Sequence, residues 1–176
     1  MNDTRNLTDE LKGRTEDAII TLLDENEIEL EVAVENLERD FNMGTIVRSA
    51  NAFGVRRVHV IGRRGWNKRG AMATEKYLHV LYHASVDEFM DAMQLDDREV
   101  IAVDNVKGSN ELHNTQLSRR CVLVFGSEGA GISNDLLHGA NRIVAIEQLG
   151  STRSINVGVA AGVVMYRWLQ DFYLKS

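Results

Sequence analysis

The sequence predicts an α/β fold in which a mostly parallel sheet carries helices on both faces. Strand-like runs alternate with helical patterns along the 176 residues, as in successive βαβ units. One strand, CVLVF at 121–125, is continuously apolar, which is typical of a strand covered on both faces. Two strands end in polar loops. Because parallel sheets bind ligands at the carboxyl ends of their strands, we expect the functional site there.

The first half of the chain supplies two helices and two strands. Thr15 with the acidic pair after it predicts the start of a helix that runs to about Leu23. Apolar residues then alternate as in a strand, at Ile28, Leu30, Val32 and Val34. From Asn42 the period becomes helical, with Ile46, Val47, Ala50 and Phe53 on one side, and Gly54 is suited to end the helix. VHVI at 58–61 predicts the next strand.

The second half continues the alternation. Ser85 and Glu88 form a capping box before a helix, and strands are predicted at 100–103, 121–125 and 143–146. Ser133 is suited to cap a short helix. Ser154 is predicted to open a long helix whose buried face is formed by Val159, Gly162, Val163 and Tyr166. We assign residues 1–27 to a short acidic extension and residues 28–176 to the main domain.

Composition excludes several classes of protein. Cys121 is the only cysteine, so the chain has no internal disulfide and no cysteine-rich metal site, and a reducing, cytoplasmic location is expected. The first residues lack the apolar core of a secretory signal. The longest apolar stretch, 157–166, is too short to span a membrane. His79 and His83 lie in a strand-forming segment without a third ligand, so no metal is expected.

Charge is distributed unevenly along the chain. Residues 1–40 contain 13 acidic and 4 basic side chains, whereas residues 56–76 are strongly basic. Within this basic segment, RRGWNKRG places a tryptophan among cations that could pair with phosphates: Arg63, Arg64, Trp66, Lys68 and Arg69. The segment therefore predicts contact with nucleic acid, with a merely solvated loop as the alternative.

The loop GSEGAG at 126–131 follows a strand and precedes a short helix, a position in which it could hold a nucleotide-like ligand. Its glycines are ordered G-x-x-G-x-G, unlike the dinucleotide fingerprint, and the chain contains no P-loop motif. A purely structural turn is the alternative. A further polar group, from Gln148 to Asn156, lies at the junction between the last strand and the last helix.

Three segments resemble the motifs of one family in their order and mutual spacing. They are NMGTIVRSANAFG at 42–54, LVFGSEGAGIS at 123–133 and IEQLGSTRSINVGVAAG at 146–162. Together they resemble the SpoU or TrmH-like family of RNA ribose 2′-O-methyltransferases in the SPOUT superfamily. The resemblance covers about residues 30–174.

This resemblance implies a C-terminal trefoil knot, which general topology rules would not predict. It also implies a homodimer that builds each active site from both chains, and S-adenosylmethionine as the methyl donor. The residues that the resemblance places at the cofactor are Gly126, Ile146 and Ile155, with Asp104 and Gly131 also near it. The catalytic positions would be Arg48, Asn42, Glu128, Ser154 and Asn156. Arg153 would add a cation for RNA.

The sequence departs from the family pattern after Ile146, where Glu147 and Gln148 replace a common Pro-Met pair. We therefore expect a less rigid cofactor loop. The predicted function is methyl transfer to a ribose of tRNA or rRNA. The alternatives are a catalytically silent RNA-binding module and a base methyltransferase of the same superfamily, and a nicotinamide oxidoreductase is less well supported.

Overall fold

The computed structural model describes residues 7–36, 42–127 and 129–174. Seven strands form one sheet in the order β3-β2-β1-β6-β4-β7-β5, and every neighbouring pair is parallel. The strands are β1 Leu30–Asn36, β2 Arg57–Gly62, β3 His79–His83, β4 Glu99–Val103, β5 Asn110–Glu111, β6 Cys121–Phe125 and β7 Arg142–Ala145. The helices are α1 Glu16–Asp24, α2 Asn42–Ala52, α3 Val86–Leu95, α4 Asn134–Gly139 and α5 Val157–Phe172. The predicted α/β class with a parallel sheet is confirmed.

Two apolar layers cover the sheet. On one face, α2 and α5 pack over the central strands, with Ile46 and Trp168 fully buried. On the other face, α3 and α4 contribute Phe89 and Leu136. This arrangement covers the central strands on both sides, so all five residues of β6 are buried, as its continuous apolar sequence predicted.

The predicted helix caps are present. Thr15, Ser85 and Ser133 each accept a hydrogen bond from a backbone amide in the first turn of the helix that follows. Gly54 ends α2 with a φ of 82°, a backbone conformation that favours glycine. Local chemistry therefore determined these boundaries, and sequence alone was enough to predict them.

The last helix differs from its prediction in two ways. It begins at Val157, and Asn156 is its N-cap in place of Ser154. The predicted buried face was also wrong, because Val159, Val163 and Tyr166 are exposed by 58%, 42% and 47%. The face that packs on the sheet is instead formed by Gly158, Ala161, Val164, Met165 and Trp168. Both sides of α5 are apolar, so helical periodicity could not identify the side that faces the core.

Strand β1 is buried on both faces, including its acidic residues. Glu31 is 2% exposed and pairs with His59 and Arg98, at 2.7 and 2.9 Å. Glu35 is equally buried and accepts a hydrogen bond from the Ser133 backbone amide at 2.7 Å. Buried carboxylates require such partners, and here the partners come from distant parts of the chain.

The two histidines spaced by four have separate partners. His79 contacts the Asp24 carboxylate at 3.0 Å, and His83 contacts the ring of His59 at 2.9 Å. Over the described ranges, no group of three or more potential metal ligands occurs. None of the described helices has the length and apolar character needed to cross a membrane.

Candidate active site

Three loops meet where neighbouring strands β6, β4 and β7 end. Together with the start of α5 they enclose a pocket of about 230 Å³. All five residues predicted to lie at the cofactor line this pocket: Asp104, Gly126, Gly131, Ile146 and Ile155. Ser154 and Asn156 line it as well. Segments that are distant in the sequence, such as those of Asp104 and Asn156, thus converge because the carboxyl ends of parallel strands share one edge of the sheet.

The glycine loop after β6 is closed on itself. A Cβ on Gly126 would lie 2.1 Å from the carbonyl carbon of Gly131, so no larger residue fits there without displacing backbone. The amides of Ser127 and Gly131 donate to each other's carbonyl oxygens at 3.2 and 2.9 Å. This close approach leaves room for a ligand beside the backbone, which is a common use of glycine.

Asp104 supports the glycine loop as well as lining the pocket. Its carboxylate accepts a hydrogen bond from the Ile132 backbone amide at 3.1 Å. The contact joins the end of β4 to the loop that follows β6. Asp104 therefore holds two walls of the pocket together, a role that its position in the sequence did not reveal.

The loop between β7 and α5 has an anchor that replaces the expected proline. The Glu147 carboxylate accepts hydrogen bonds from the backbone amide and from the ring Nδ1 of His113, at 2.9 and 2.7 Å. Burial tends to raise the pKa of Glu147, but the hydrogen bonds from His113 outweigh it and lower that pKa below its usual value. Farther along, Asn105 donates to the Arg153 carbonyl. The sequence led us to expect a less rigid loop and did not indicate these two contacts.

Asn156 links the pocket to α2. Its side-chain oxygen caps α5 by accepting from the amides of Gly158 and Val159, and its amide nitrogen donates to Oδ1 of Asn42 at 2.9 Å. A Cβ on Gly158 would lie 2.9 Å from Cγ2 of Thr45, so the two helices touch at this point. The structure therefore brings together the first and third motifs through Asn42 and Asn156.

Two of the predicted catalytic residues that the structure describes, Asn42 and Arg48, do not line the pocket. The Arg48 side chain is exposed on α2 and is not among the residues that line the pocket. Glu128 lies outside the described residues. Ser154 is exposed at the pocket wall.

The basic loop after β2 lies against the same helix. A Cβ on Gly44 would come within 2.7 Å of the Ala71 backbone amide nitrogen and 2.9 Å of Gly70, so α2 and this loop are in direct backbone contact. Asn36, the last residue of β1, also holds the loop by donating to the carbonyl oxygens of Arg63 and Gly65. The basic loop is therefore fixed beside the helix that carries Asn42.

The aromatic groups of the basic loop are arranged differently from the prediction. Trp66 is partly buried against the core, and the Lys68 ammonium lies 5.8 Å from its ring centre. The Arg64 guanidinium lies 5.4 Å from the ring centre of Tyr82, a residue that the sequence did not indicate. Trp66 therefore offers less free ring surface than predicted, and Tyr82 provides a second ring.

The cations of this loop lack acidic partners. Within the described part of the chain, no carboxylate lies within ion-pair distance of Arg63, Arg64, Lys68 or Arg69. All four side chains are exposed. Uncompensated cations attract phosphates, whereas paired ones do so weakly.

Comparison with known proteins identifies the family. The model of the SpoU rRNA Methylase family matches residues 29–166, which is most of the chain and includes all three motif segments. The chain belongs to the SpoU rRNA methylase family. The resemblance inferred from the motifs is thereby confirmed.

Relatives within this group include proteins that act on tRNA. A tRNA (guanosine(18)-2′-O)-methyltransferase of Borreliella burgdorferi is 25% identical over 97% of this chain and 78% of its own length. The enzyme of the same name from Escherichia coli K12 is 22% identical over 84% of this chain and 66% of its own length.

Solved structures of the SpoU group share the fold. The A. aeolicus TrmH/SpoU tRNA modifying enzyme superposes with a TM-score of 0.77 at 21% identity, covering 89% of this chain and 81% of that one. AviRb of Streptomyces viridochromogenes, solved with AdoMet, has a TM-score of 0.72 at 25% identity, covering 82% and 58% of the two chains.

Proposed function

We propose that this protein transfers a methyl group from S-adenosylmethionine to a ribose 2′-hydroxyl of tRNA. The observation that carries the proposal is the convergence of the second and third motifs on one pocket, joined to the first motif by the contact between Asn156 and Asn42. Membership of the SpoU rRNA methylase family supports an RNA substrate. The names of the tRNA-modifying relatives favour tRNA over rRNA and the 2′-oxygen over a base.

The residues of the pocket fit S-adenosylmethionine. Ala145, Ile146 and Ile155 provide apolar surface for a flat base, and Gly126 leaves backbone accessible. The Ser127 hydroxyl is buried in the pocket wall and has no hydrogen-bond partner within the described residues. A buried polar atom without a partner favours a ligand that supplies one.

The chain's own contribution to the reaction is mainly alignment. The bound cofactor supplies an electrophilic methyl group on a sulfonium, which is already a good leaving group. Arg48 orients the ribose hydroxyl or its neighbouring phosphate through charge-assisted hydrogen bonds. A guanidinium stays protonated in proteins, so Arg48 does not take the proton of the hydroxyl. Asn42 and Asn156 hold α2 against the pocket, while Ser154 and Glu128 occupy the remaining motif positions.

A second copy of the chain completes the site in this proposal. Arg48 lies outside the pocket of its own chain, and the exposed stripe formed by Val159, Val163 and Tyr166 runs along α5 next to α2. Exposed apolar stripes of this kind are typical of protein interfaces. Dimerisation through this stripe would bury the three side chains and let Arg48 of one protomer approach the pocket of its partner.

Mixing two inactive variants tests the shared site. Arg48→Ala and Asn156→Ala homodimers should each be inactive. If Arg48 serves the partner's pocket, a heterodimer of the two carries one intact site and recovers about a quarter of wild-type activity after random exchange of subunits. Recovery of no activity, with exchange verified by mass spectrometry, would contradict a site built from both chains.

We also infer that the C-terminal part forms the trefoil knot of the superfamily. The segment between β7 and α5 contacts the stretch after β4 at two points, through Asn105 with Arg153 and His113 with Glu147. Trp168 of α5 then donates to the carbonyl of Ser118 at 2.9 Å. These contacts favour a chain end threaded through the 104–120 loop.

The RNA surface in this proposal comprises the basic loop and Arg153. The loop cations Arg63, Arg64, Lys68 and Arg69 contact phosphates, and Trp66 and Tyr82 lie beside them for an unstacked base. Residues 1–27 are assigned to an extension in this proposal, and its helix α1 lies at the opposite end of the sheet, where Asp24 binds Arg56 at 2.8 Å. Such an enzyme would act in the cytoplasm.

Transfer of labelled methyl from S-adenosylmethionine to unmodified tRNA and rRNA, followed by nucleoside analysis, tests the proposal. We expect a 2′-O-methylated nucleoside in tRNA that disappears with Arg48→Ala. The matched control is Arg14→Ala, which removes another exposed arginine that does not line the pocket. A methylated base in place of a methylated ribose, or equal loss with Arg14→Ala, would overturn it. Binding of RNA without transfer would identify a catalytically silent module.

A further inference from the structure

Gln148 places a buried hydrogen-bond acceptor in the wall of the cofactor pocket. It is the third residue after β7 and lines the pocket together with Ile146. Its Oε1 atom is buried and finds no hydrogen-bond partner within the described residues. A carbonyl oxygen in this state is set to accept a hydrogen bond from a ligand.

The neighbouring residue explains how Gln148 is held there. The Glu147 carboxylate is bound by the backbone amide and ring of His113, outside the pocket. This contact fixes the backbone one residue before Gln148. Of the two residues that replace a common Pro-Met pair, Glu147 therefore anchors the loop and Gln148 adds a polar group to the pocket.

The surroundings of Gln148 select among the donors of S-adenosylmethionine. The cofactor offers an exocyclic amino group on adenine, ribose hydroxyls and an ammonium group. Ala145, Ile146 and Ile155 line the same pocket with apolar surface, and Ile146 is two residues before Gln148 in the chain. Such surface suits a flat base, whereas the Asp104 carboxylate that also lines the pocket offers a partner to the ammonium group and to the ribose hydroxyls. The adenine amino group is therefore the donor that fits.

We propose that the Gln148 side-chain carbonyl accepts a hydrogen bond from the exocyclic amino group of adenine and so contributes to cofactor specificity. The inference rests on the proposed function, since it takes the pocket to be the cofactor site. A methionine at this position, as in the Pro-Met pattern, provides no such acceptor. Gln148 is thus a specificity residue particular to this sequence, added to the backbone contacts that a glycine-rich pocket supplies.

Calorimetric binding of two ligands tests this contact without requiring turnover. The ligands are S-adenosylhomocysteine and its analogue with an unsubstituted purine, which lacks the amino group. The variants are Gln148→Met, which keeps the side-chain length, and Gln94→Met as a control on the exposed surface of α3. Thermal unfolding of each variant confirms that it is folded.

We expect the wild-type protein to prefer the adenine compound over the purine compound, and Gln148→Met to reduce that ratio about tenfold, the size of one hydrogen bond. Gln94→Met should leave the ratio unchanged. A ratio that Gln148→Met does not alter, even if both affinities fall, would overturn the role of Gln148 while leaving the cofactor site intact. Failure of the wild-type protein to bind S-adenosylhomocysteine would overturn the proposed function and this inference together.

Discussion

The charged side chains at the two ends of the parallel sheet differ in whether they are paired within the fold. At the amino end, arginines before or at the start of four strands are paired with carboxylates, as in Arg57 with Glu27 and Arg142 with Glu99, both at 2.5 Å. At the carboxyl end, the loop cations have no carboxylate partner, and the side-chain oxygens of Ser127 and Gln148 have no hydrogen-bond partner, within the described residues. The arginines of the amino end are thus paired within the fold, whereas several polar groups of the carboxyl end are available for ligands.

This contrast separates stability from function. Polar groups that are paired internally support the fold but offer little to a ligand. Polar groups left without partners cost stability and are retained where binding requires them. We therefore expect substitutions at the amino end to affect unfolding and substitutions at the carboxyl end to affect binding and methyl transfer.

Gly126→Ala should have the largest effect on the carboxyl end. The added methyl group would lie 2.1 Å from the Gly131 carbonyl carbon, so the loop must open and the pocket wall must move. We expect affinity for S-adenosylhomocysteine to fall by at least 100-fold in calorimetry. Gly150→Ala is the control, because no atom lies within 4 Å of a Cβ at that position. Binding near the wild-type level in Gly126→Ala would show that the closed loop is not needed for the ligand.

Glu31→Ala should have the largest effect on the amino end. It removes the buried carboxylate that contacts the 3%-exposed Arg98 side chain at 2.9 Å, and within the described residues this guanidinium then keeps only the more exposed Asp96, at 3.0 Å, as a carboxylate partner. Loss of one partner from a buried pair costs about 3–5 kcal/mol of unfolding free energy. Urea unfolding measures this loss. Glu29→Ala, which removes an exposed pair with Arg119, should cost far less unfolding free energy. Equal losses of unfolding free energy in the two variants would show that burial does not determine the contribution of these ion pairs.

The cations of the basic loop should contribute to the salt dependence of tRNA binding. Lys68→Ala should reduce the slope of log affinity against log salt by about 0.7 to 0.9, the value for one phosphate contact. Arg120→Ala at the amino end, where Asp96 binds the guanidinium at 2.6 Å, should leave the slope unchanged. Filter binding over a range of salt concentrations distinguishes the two. If Arg120→Ala reduced the slope and Lys68→Ala did not, the RNA would bind at the amino end of the sheet, which would contradict the proposal.

The smallest expected effect is the contribution of His83 to the pH dependence of the unfolding free energy. Burial lowers the pKa of His83 below its usual 6.5, the nearby His59 lowers it further, and Glu88 opposes them only partly. The unfolded chain therefore binds a proton at His83 more readily than the folded one. The stabilising contribution is present above pH 6.5 and is lost as the pH falls below it. His83→Asn should weaken the fall in unfolding free energy between pH 7 and 5.5, and an unchanged slope would exclude His83 as its source.

Local signals made much of the architecture predictable. Thr15, Ser85 and Ser133 cap helices through contacts within four residues, so their roles could be read directly. The convergence of Gly126 and Ile146 followed from the rule that parallel strands end at a common edge, together with the family resemblance.

Other features depend on contacts between distant residues and could not be predicted. The partners of Glu31 come from β2 and from the turn before β4. Asn156 was expected to be catalytic, yet it also caps α5. Ser154 and Asn156 are both suitable caps, so residue type alone could not select between them. The exposed apolar face of α5 was misassigned for a similar reason, since its two sides differ little in hydrophobicity.

Single-turnover methyl transfer to tRNA by folded Glu31→Ala and Arg48→Ala proteins, measured side by side, tests the central claim most directly. The claim is that function resides at the carboxyl end and stability at the amino end. We predict that Glu31→Ala, once shown to be folded at the assay temperature, transfers methyl groups at close to the wild-type rate, whereas Arg48→Ala transfers none. Transfer by Arg48→Ala, or its loss in folded Glu31→Ala, would contradict this division of the molecule.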